Sequence, residues 1–143
     1  MIKDEDRLEI LESIQKFDDR HQFVDEEINV GLAFQVRALR NKRNLTQEEF
    51  AKEIGVTQPL VSAWENPNYG KYTLNTLKEL AKVFDVGLSI RFVPFSKMVN
   101  DALSLDSSVI APASFSEENA GSPSAVASGV QENHEEYQCQ DKE

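Results

Sequence analysis

The stretch from Thr46 to Glu65 constrains the fold most, because it is typical of two short helices joined by a tight turn. Thr46 precedes the first helix and Thr57 precedes the second, and threonine is a favoured N-cap residue. Pro59 falls in the first turn of the second helix, where a missing N–H costs nothing. Gly55 lies where the first helix must stop, and a positive φ angle is expected there.

The apolar positions of this stretch predict how the two helices pack. Their inward face consists of Phe50, Ala51, Ile54, Val56, Val61 and Trp64. The outward residues of the second helix are small and mostly uncharged: Gln58, Pro59, Ser62, Ala63 and Asn66. A solvated helix face normally carries Lys and Glu, so this face is expected to contact another molecule. The pattern favours a DNA-binding helix-turn-helix with residues 57–65 as recognition helix over an ordinary helical hairpin inside a core.

Four short motifs carry a family resemblance: Leu39-Arg40, residues 45–51, residues 55–58 and residues 64–66. They resemble the lambda-repressor/Cro-type helix-turn-helix family, the xenobiotic-response-element (XRE) family of bacterial and phage transcriptional regulators. Residues 65–74 and the later segment 84–95 resemble a small-protein branch of it. The resemblance covers roughly residues 31–99. It implies an all-α, five-helix lambda-repressor-like DNA-binding domain.

The resemblance also implies which residues read bases. It places Gln58, Pro59 and Ala63 towards the major groove, and Ser62 shares their face of the helix. Glutamine can pair with adenine N6 and N7, whereas proline and alanine offer only apolar contact, so DNA shape is expected to carry part of the specificity. Arg40 and Glu65 occupy the family positions of a structural ion pair.

A second set of residues is expected to contact DNA phosphates. The resemblance places Gln47 at a phosphate and the basic end of the first helix against a DNA strand, although those cations also suit a helix C-terminus. Thr73 is the expected N-cap of a later helix, whose N-terminus is a ready phosphate site. The full predicted set is Arg37, Arg43, Thr46, Gln47, Asn68, Lys71, Tyr72 and Asn75.

The charge distribution supports this assignment, although the net charge of −10 is unusual for a DNA-binding protein. Residues 1–30 hold 4 basic and 10 acidic residues, and residues 100–143 hold 1 basic and 9 acidic residues. Residues 31–99 hold 10 basic and 6 acidic residues. The basic surplus therefore lies on the predicted DNA-binding domain, and the acidity lies at both ends.

The N-terminal 30 residues are predicted to be an acidic helical extension of a DNA-binding domain at residues 31–86. An amphipathic helix is expected from Asp4 to Phe17, with its apolar stripe at Leu8, Leu11, Ile14 and Phe17. That stripe either packs on the rest of the chain or docks a protein partner or dimer mate. A further helix is expected over Glu26–Arg43, with Asn44 in the left-handed conformation at its end.

Residues 87–105 are predicted to be a strand and a short helix that support dimerisation. Leu88, Ile90 and Phe92 alternate with Ser89, Arg91 and Val93, which is the two-residue period of a strand. An isolated strand needs a partner, so the same strand of a second copy is expected to pair with it across a two-fold axis. The alternative is pairing with residues 22–24.

Residues 106–143 have few large apolar groups and are predicted to be a disordered acidic tail, whose removal leaves stability nearly unchanged. His134 and Cys139 form only a weak candidate metal pair. No cofactor motif, metal set or catalytic arrangement is readable, so a binding protein is expected rather than an enzyme. The single cysteine, the absence of a signal peptide and the lack of a membrane-length apolar run favour a cytoplasmic protein, at the nucleoid when bound to DNA.

Together these features predict a sequence-specific transcriptional regulator, most simply a repressor that binds a palindromic operator as a homodimer. The alternative is an antitoxin, which binds a partner toxin through its ends and regulates its own synthesis by binding DNA. The acidic N-terminal helix is the feature that favours the alternative.

Overall fold

The computed structural model describes residues 3–104 and 107–120, and the regular secondary structure within these ranges is entirely α-helical. This agrees with the all-α class expected from the sequence. In chain order the helices are α1 (Asp4–Ser13), α2 (Phe17–Lys42), α3 (Gln47–Ile54), α4 (Gln58–Trp64), α5 (Leu74–Phe84), α6 (Phe95–Leu103), α7 (Ser107–Ile110) and α8 (Phe115–Ala120).

Local sequence sets the ends of α3 and α4. The Thr46 hydroxyl accepts a hydrogen bond from the Glu49 N–H at 3.2 Å, and the Glu49 carboxylate accepts one from the Thr46 N–H at 2.8 Å. Gly55 ends α3 with φ of +75°, as predicted. The expected side-chain cap by Thr57 is wrong. Pro59 has no N–H to donate, and the next N–H, that of Leu60, bonds the Thr57 carbonyl at 3.1 Å instead.

Helices α2 to α5 share one apolar core, and this core fixes the orientation of α4. Its buried members are Val36, Leu39, Phe50, Ala51, Val61, Trp64, Leu80 and Phe84. The rings of Phe50 and Phe84 stack with centroids 5.2 Å apart and an interplanar angle of 8°. Ile54 and Val56, the other residues of the predicted inward face, are partly buried against this core.

Helix α2 is longer than the sequence predicted, because it runs from Phe17 to Lys42 without a break at Gly31. The expected boundary between the N-terminal extension and the DNA-binding domain lies inside this helix. Asn44 follows its end with φ of +57°, the left-handed conformation predicted for it. The last 14 residues of the acidic extension, residues 17–30, therefore continue directly into the helix of the domain.

The predicted helix from Asp4 to Phe17 is divided in two, since α1 ends at Ser13 and α2 begins at Phe17. Helix α1 packs against α6, and Ile14 and Val99 are buried. The apolar stripe thus packs partly on the chain itself, which was one of its two expected roles. Leu8 and Phe17 remain mostly exposed.

The strand predicted over residues 88–93 is not formed, because residues 86–94 have no regular secondary structure. In the single chain Leu88, Ile90 and Phe92 are 41%, 62% and 107% exposed. The alternative partner, residues 22–24, lies within α2 and spends its backbone hydrogen bonds there. A strand requires a second strand, and the described part of one chain offers none.

Residues 107–120, here called the C-terminal strap, overturn the prediction of disorder for this part of the tail. Gln35 Nε2 donates to the Val109 carbonyl at 2.8 Å, and the Phe115 N–H donates to the Asp85 carbonyl at 2.9 Å. Ala111 packs against the domain core. Small residues and backbone hydrogen bonds hold the strap, so a search for large apolar groups misses it.

The remainder of the predicted tail, residues 121–143, lies outside the described residues, and so does the His134–Cys139 pair. Within the described ranges, no group of three or more His, Cys, Asp or Glu residues is arranged to hold a metal ion. None of the helices described is long and apolar enough to cross a membrane.

Candidate nucleic-acid interface

The outward face of α4 presents the four residues predicted to read bases. Gln58, Pro59 and Ser62 are exposed, and Ala63 is half-buried. On the opposite face, Val61 and Trp64 are 0% and 6% exposed. Turning α4 about its axis would bring these two apolar side chains into water, so the core determines which residues point outward.

Gln47 connects the buried side of α4 to its exposed end through two hydrogen bonds. Its Nε2 donates to Glu65 Oε2 at 3.0 Å, and its Oε1 accepts from Gln58 Nε2 at 2.9 Å. An ionised carboxylate can only accept, so Glu65 determines which end of the Gln47 amide faces Gln58. This leaves Gln58 Oε1 and one amide hydrogen for a ligand, the acceptor and donor pair that matches adenine N6 and N7.

Arg40 and Glu65 form the ion pair that the resemblance implies. Arg40 Nε and Nη2 donate to the two Glu65 carboxylate oxygens at 2.5 and 2.9 Å, and Nη1 donates to the Leu45 carbonyl at 2.7 Å. The two side chains are 11% and 5% exposed. Burial raises the pKa of Glu65, but the hydrogen bonds from Arg40 and Gln47 outweigh it and leave that pKa below its ordinary value.

The loop between α4 and α5 is built from local hydrogen bonds. Asn66 Oδ1 accepts from the Asn68 N–H at 2.9 Å, and Gly70 has φ of +56°. A Cβ atom at Gly70 would lie 3.0 Å from Asn29 Nδ2 of α2, so the loop passes close to that helix. Asn68 and Lys71 are exposed on it. The loop therefore offers an amide and a cation from a fixed backbone.

Tyr72, predicted to bind phosphate, has its hydroxyl directed elsewhere. The hydroxyl donates to the carbonyl of Trp64, in the last turn of α4, and the side chain is half-buried. Burial, together with Tyr69 and Glu65 nearby, raises the pKa of Tyr72 to about 12. The ring of Tyr69 meets that of Tyr72 edge-on with centroids 5.3 Å apart. In this arrangement Tyr72 holds the end of α4.

Three further phosphate candidates lie beside these elements. Arg37 is exposed and close enough to Glu65 to lower the pKa of that carboxyl. Thr46 caps α3 as an acceptor, and its hydroxyl hydrogen is still free to donate. Asn75 is exposed in the first turn of α5, where Thr73 accepts from the Thr76 N–H at 3.1 Å as the predicted N-cap.

Arg43 is not brought together with the other candidates. Its Nη2 lies 2.5 Å from Glu53 Oε1, and its Nη1 donates to the Val83 carbonyl at 3.3 Å. Glu53 is at the C-terminal end of α3, whereas Gln47 is at the N-terminal end. The contact of Asn29 with the loop at Gly70, in turn, was missed, because no local sequence signal links two residues so far apart in the chain.

Comparison with known protein families matches residues 36–90 to a family model described as a helix-turn-helix. The match begins within α2 and includes α3, α4 and α5. This part of the chain is a DNA-binding helix-turn-helix domain, and the protein is a DNA-binding transcriptional regulator. More narrowly, the match over residues 36–90 supports the resemblance of this domain to the lambda-repressor/Cro-type XRE family. Searches of curated proteins and of solved structures gave no match.

Proposed function

We propose that this chain is a sequence-specific transcriptional repressor, which inserts α4 into the major groove of each half of a palindromic operator as a homodimer. The observation that carries the proposal is the hydrogen-bonded series Glu65–Gln47–Gln58, which directs one amide at the exposed end of α4. Such fixed orientation lowers the entropic cost of base reading. Selection of bound sequences from a random DNA pool tests it, and an inverted repeat is the expected result.

Phosphate contacts are proposed on both sides of α4. Gln47 and Thr46 lie at the N-terminus of α3, Asn75 lies at that of α5, and helix N-termini attract anions. Asn68 and Lys71 extend this surface along the loop, and Arg37 adds a cation beside Glu65. The buried ion pair Arg40–Glu65 lies beneath this surface and holds Gln47 through Glu65.

Gln58→Ala is expected to weaken binding to the selected operator by about 1–3 kcal/mol, because the bidentate pair with adenine is lost. Binding to unrelated DNA should barely change. Fluorescence anisotropy with both DNA duplexes measures the two affinities. Gln22→Ala, which removes an exposed glutamine from the N-terminal half of α2, is the matched control. An equal loss of affinity on both duplexes would remove Gln58 from base reading.

Lys71→Ala is expected to weaken binding to every sequence and to reduce the slope of log K against log salt by about one unit. Lys71 makes no ion pair in the part of the chain described, so its charge is available to phosphate. Arg43→Ala is the informative comparison. The sequence predicted the same effect, whereas the Glu53 ion pair predicts a much smaller one. Salt titration of both variants decides between these outcomes.

The proposed dimer uses the exposed apolar residues of segment 88–93. Leu88, Ile90 and Phe92 lie in water in the single chain, which is costly for three large apolar side chains so close together in the sequence. A second copy covers them and supplies backbone partners at the same time. A two-fold dimer also provides two recognition helices, which a palindromic operator requires.

Ile90→Pro is expected to give monomers that lose cooperative operator binding, because proline removes a backbone donor from the middle of the segment. Sedimentation equilibrium at micromolar concentration measures the oligomeric state. Since Ile90 is 62% exposed, the fold of the single chain should survive the change. A dimeric Ile90→Pro protein, or a monomeric unmodified protein, would contradict the proposal.

The second candidate function is that of an antitoxin, favoured by the exposed apolar residues Leu8 and Phe17 on the acidic N-terminal extension. A partner toxin would be basic to complement that charge. A stoichiometric protein that co-purifies with the chain, and that Leu8→Asp releases without loss of DNA binding, supports this candidate. Purification as a homodimer alone supports the repressor.

A further inference from the structure

An open groove of about 870 Å³ separates α5 from the C-terminal strap. Val86 and Leu88 line one side, at the start of the exposed apolar segment, and Pro112 and Phe115 of the strap line the other. Leu88 is 41% exposed and Phe115 is 65% exposed. The described chain therefore leaves two large apolar side chains bordering one space that it does not fill.

The charges around the groove indicate what fits it. Its cations are Lys78 and Lys82, and its carboxylates are Glu79, Asp85 and Glu118. Lys82 Nζ pairs with Glu79 Oε1 at 2.8 Å. The lining therefore has a net charge of −1. This charge disfavours binding of residues 121–143 in the groove, because they contain five acidic residues. A segment with large apolar side chains and no acidic residue suits it.

Segment 88–93 of a second copy has this chemistry, since it carries three large apolar residues on one face and no acidic residue. We consider two copies of the segment paired antiparallel, with the two-fold axis at Ile90. The three alternating apolar residues of one copy then lie opposite the three of the other. In that register residue 88 of each copy lies opposite residue 92 of the other, and residue 89 lies opposite residue 91. Arg91 therefore faces serine and avoids a like charge.

We infer that the partner's Phe92 inserts its ring into the groove between Leu88 and Phe115, so that the strap completes the dimer interface. The inference rests on the proposed homodimer and adds to it a site that both copies build. Directly opposed residues have Cβ atoms about 5 Å apart, which brings the ring of the partner's Phe92 over Leu88 and towards Phe115. Phe92 is fully exposed in the single chain because its pocket belongs to the other copy.

Phe115→Ala is the first test, measured by sedimentation equilibrium of the full chain. The dimer dissociation constant should rise about tenfold, as expected for loss of an aromatic contact at an interface. Phe17→Ala is the matched control, because Phe17 is exposed to the same 65% and lies outside the segment and the strap. Equal dissociation constants for Phe115→Ala and the unmodified protein would overturn the inference. An unchanged melting temperature shows that Phe115→Ala keeps its fold.

Disulfide cross-linking then separates this inference from the proposed dimer. In a Cys139→Ser background, Ile90→Cys should cross-link to itself, because the axis passes through residue 90. A mixture of Phe92→Cys chains with Phe115→Cys chains should give a mixed disulfide, and a mixture of Phe92→Cys with Phe17→Cys should not. Cross-linking at residue 90 without the mixed 92–115 disulfide would overturn the groove and leave the dimer standing. Failure of both would overturn the dimer as well.

Discussion

Glu65→Ala should lower the free energy of unfolding by about 3–5 kcal/mol, because it leaves the Arg40 guanidinium buried without its carboxylate. Both side chains lie almost out of contact with water, and Arg40 gives two hydrogen bonds to Glu65. The change also frees Gln47, so binding to the selected operator should fall further than stability alone accounts for. Urea unfolding measures the first effect, and anisotropy at a temperature where the variant is folded measures the second.

Glu79→Ala is the control for this prediction, because Glu79 pairs with Lys82 at 2.8 Å on the surface, where ion pairs contribute about 1 kcal/mol or less. The pH dependence gives an independent check. The folded-state pKa of Glu65 lies below its ordinary 4.5, so its stabilising effect is complete above that pH and is lost as the pH falls through the lowered pKa. If Glu65→Ala and Glu79→Ala lower the free energy of unfolding equally, the buried Arg40–Glu65 pair does not stabilise the fold.

A chain that ends at Ser104 should melt about 10 °C or more below the full-length chain. The strap covers the core side at Leu39, Val83 and Phe84, which line a second cavity beneath it, and Ala111 packs there. Burial of one large apolar side chain contributes about 1.5–3 kcal/mol, and each kcal/mol shifts the midpoint by about 4–8 °C in a small domain. The scarcity of large apolar residues beyond residue 105 predicted almost no change.

A chain that ends at Ala120 is the matched control, because it keeps the strap and removes only residues 121–143. Its melting temperature should stay close to that of the full-length chain. Ala111→Asp should reproduce part of the loss in the full-length chain by placing a carboxylate against the core. Differential scanning calorimetry of these three variants and the full-length chain measures the shifts. Equal melting temperatures for the chains ending at Ser104 and Ala120 would show that the strap adds no stability.

The helix-turn-helix could be predicted in detail because its signals are local. Thr46 caps α3, Gly55 ends it with a positive φ angle, and Phe50 and Val61 recur at helical spacing. The family match over residues 36–90 covers this same region. Each of these features depends on a residue and its near neighbours, so one sequence carries enough information to place them.

The strand and the tail could not be predicted because their structure depends on distant partners. Residues 88–93 have the period of a strand, but a strand forms only where a second one bonds it, and the described chain has none. Three contacts hold the strap. Gln35 donates to the Val109 carbonyl, the Asp85 carbonyl accepts from the Phe115 N–H, and Lys42 Nζ lies 2.9 Å from Glu117 Oε2. Composition records none of these contacts, since each joins residues far apart in the chain.

The candidate interface likewise has features that the sequence determines and features that depend on tertiary packing. The sequence by itself determined that α4 presents Gln58, Pro59 and Ser62, because helical periodicity assigns one face to the core and the other to solvent. Only the tertiary structure decided that Gln47 links Glu65 to Gln58, that Tyr72 is turned towards Trp64, and that Arg43 is held by Glu53. A hydrogen bond or ion pair requires two groups within about 3 Å, and only the packed fold brings distant residues that close.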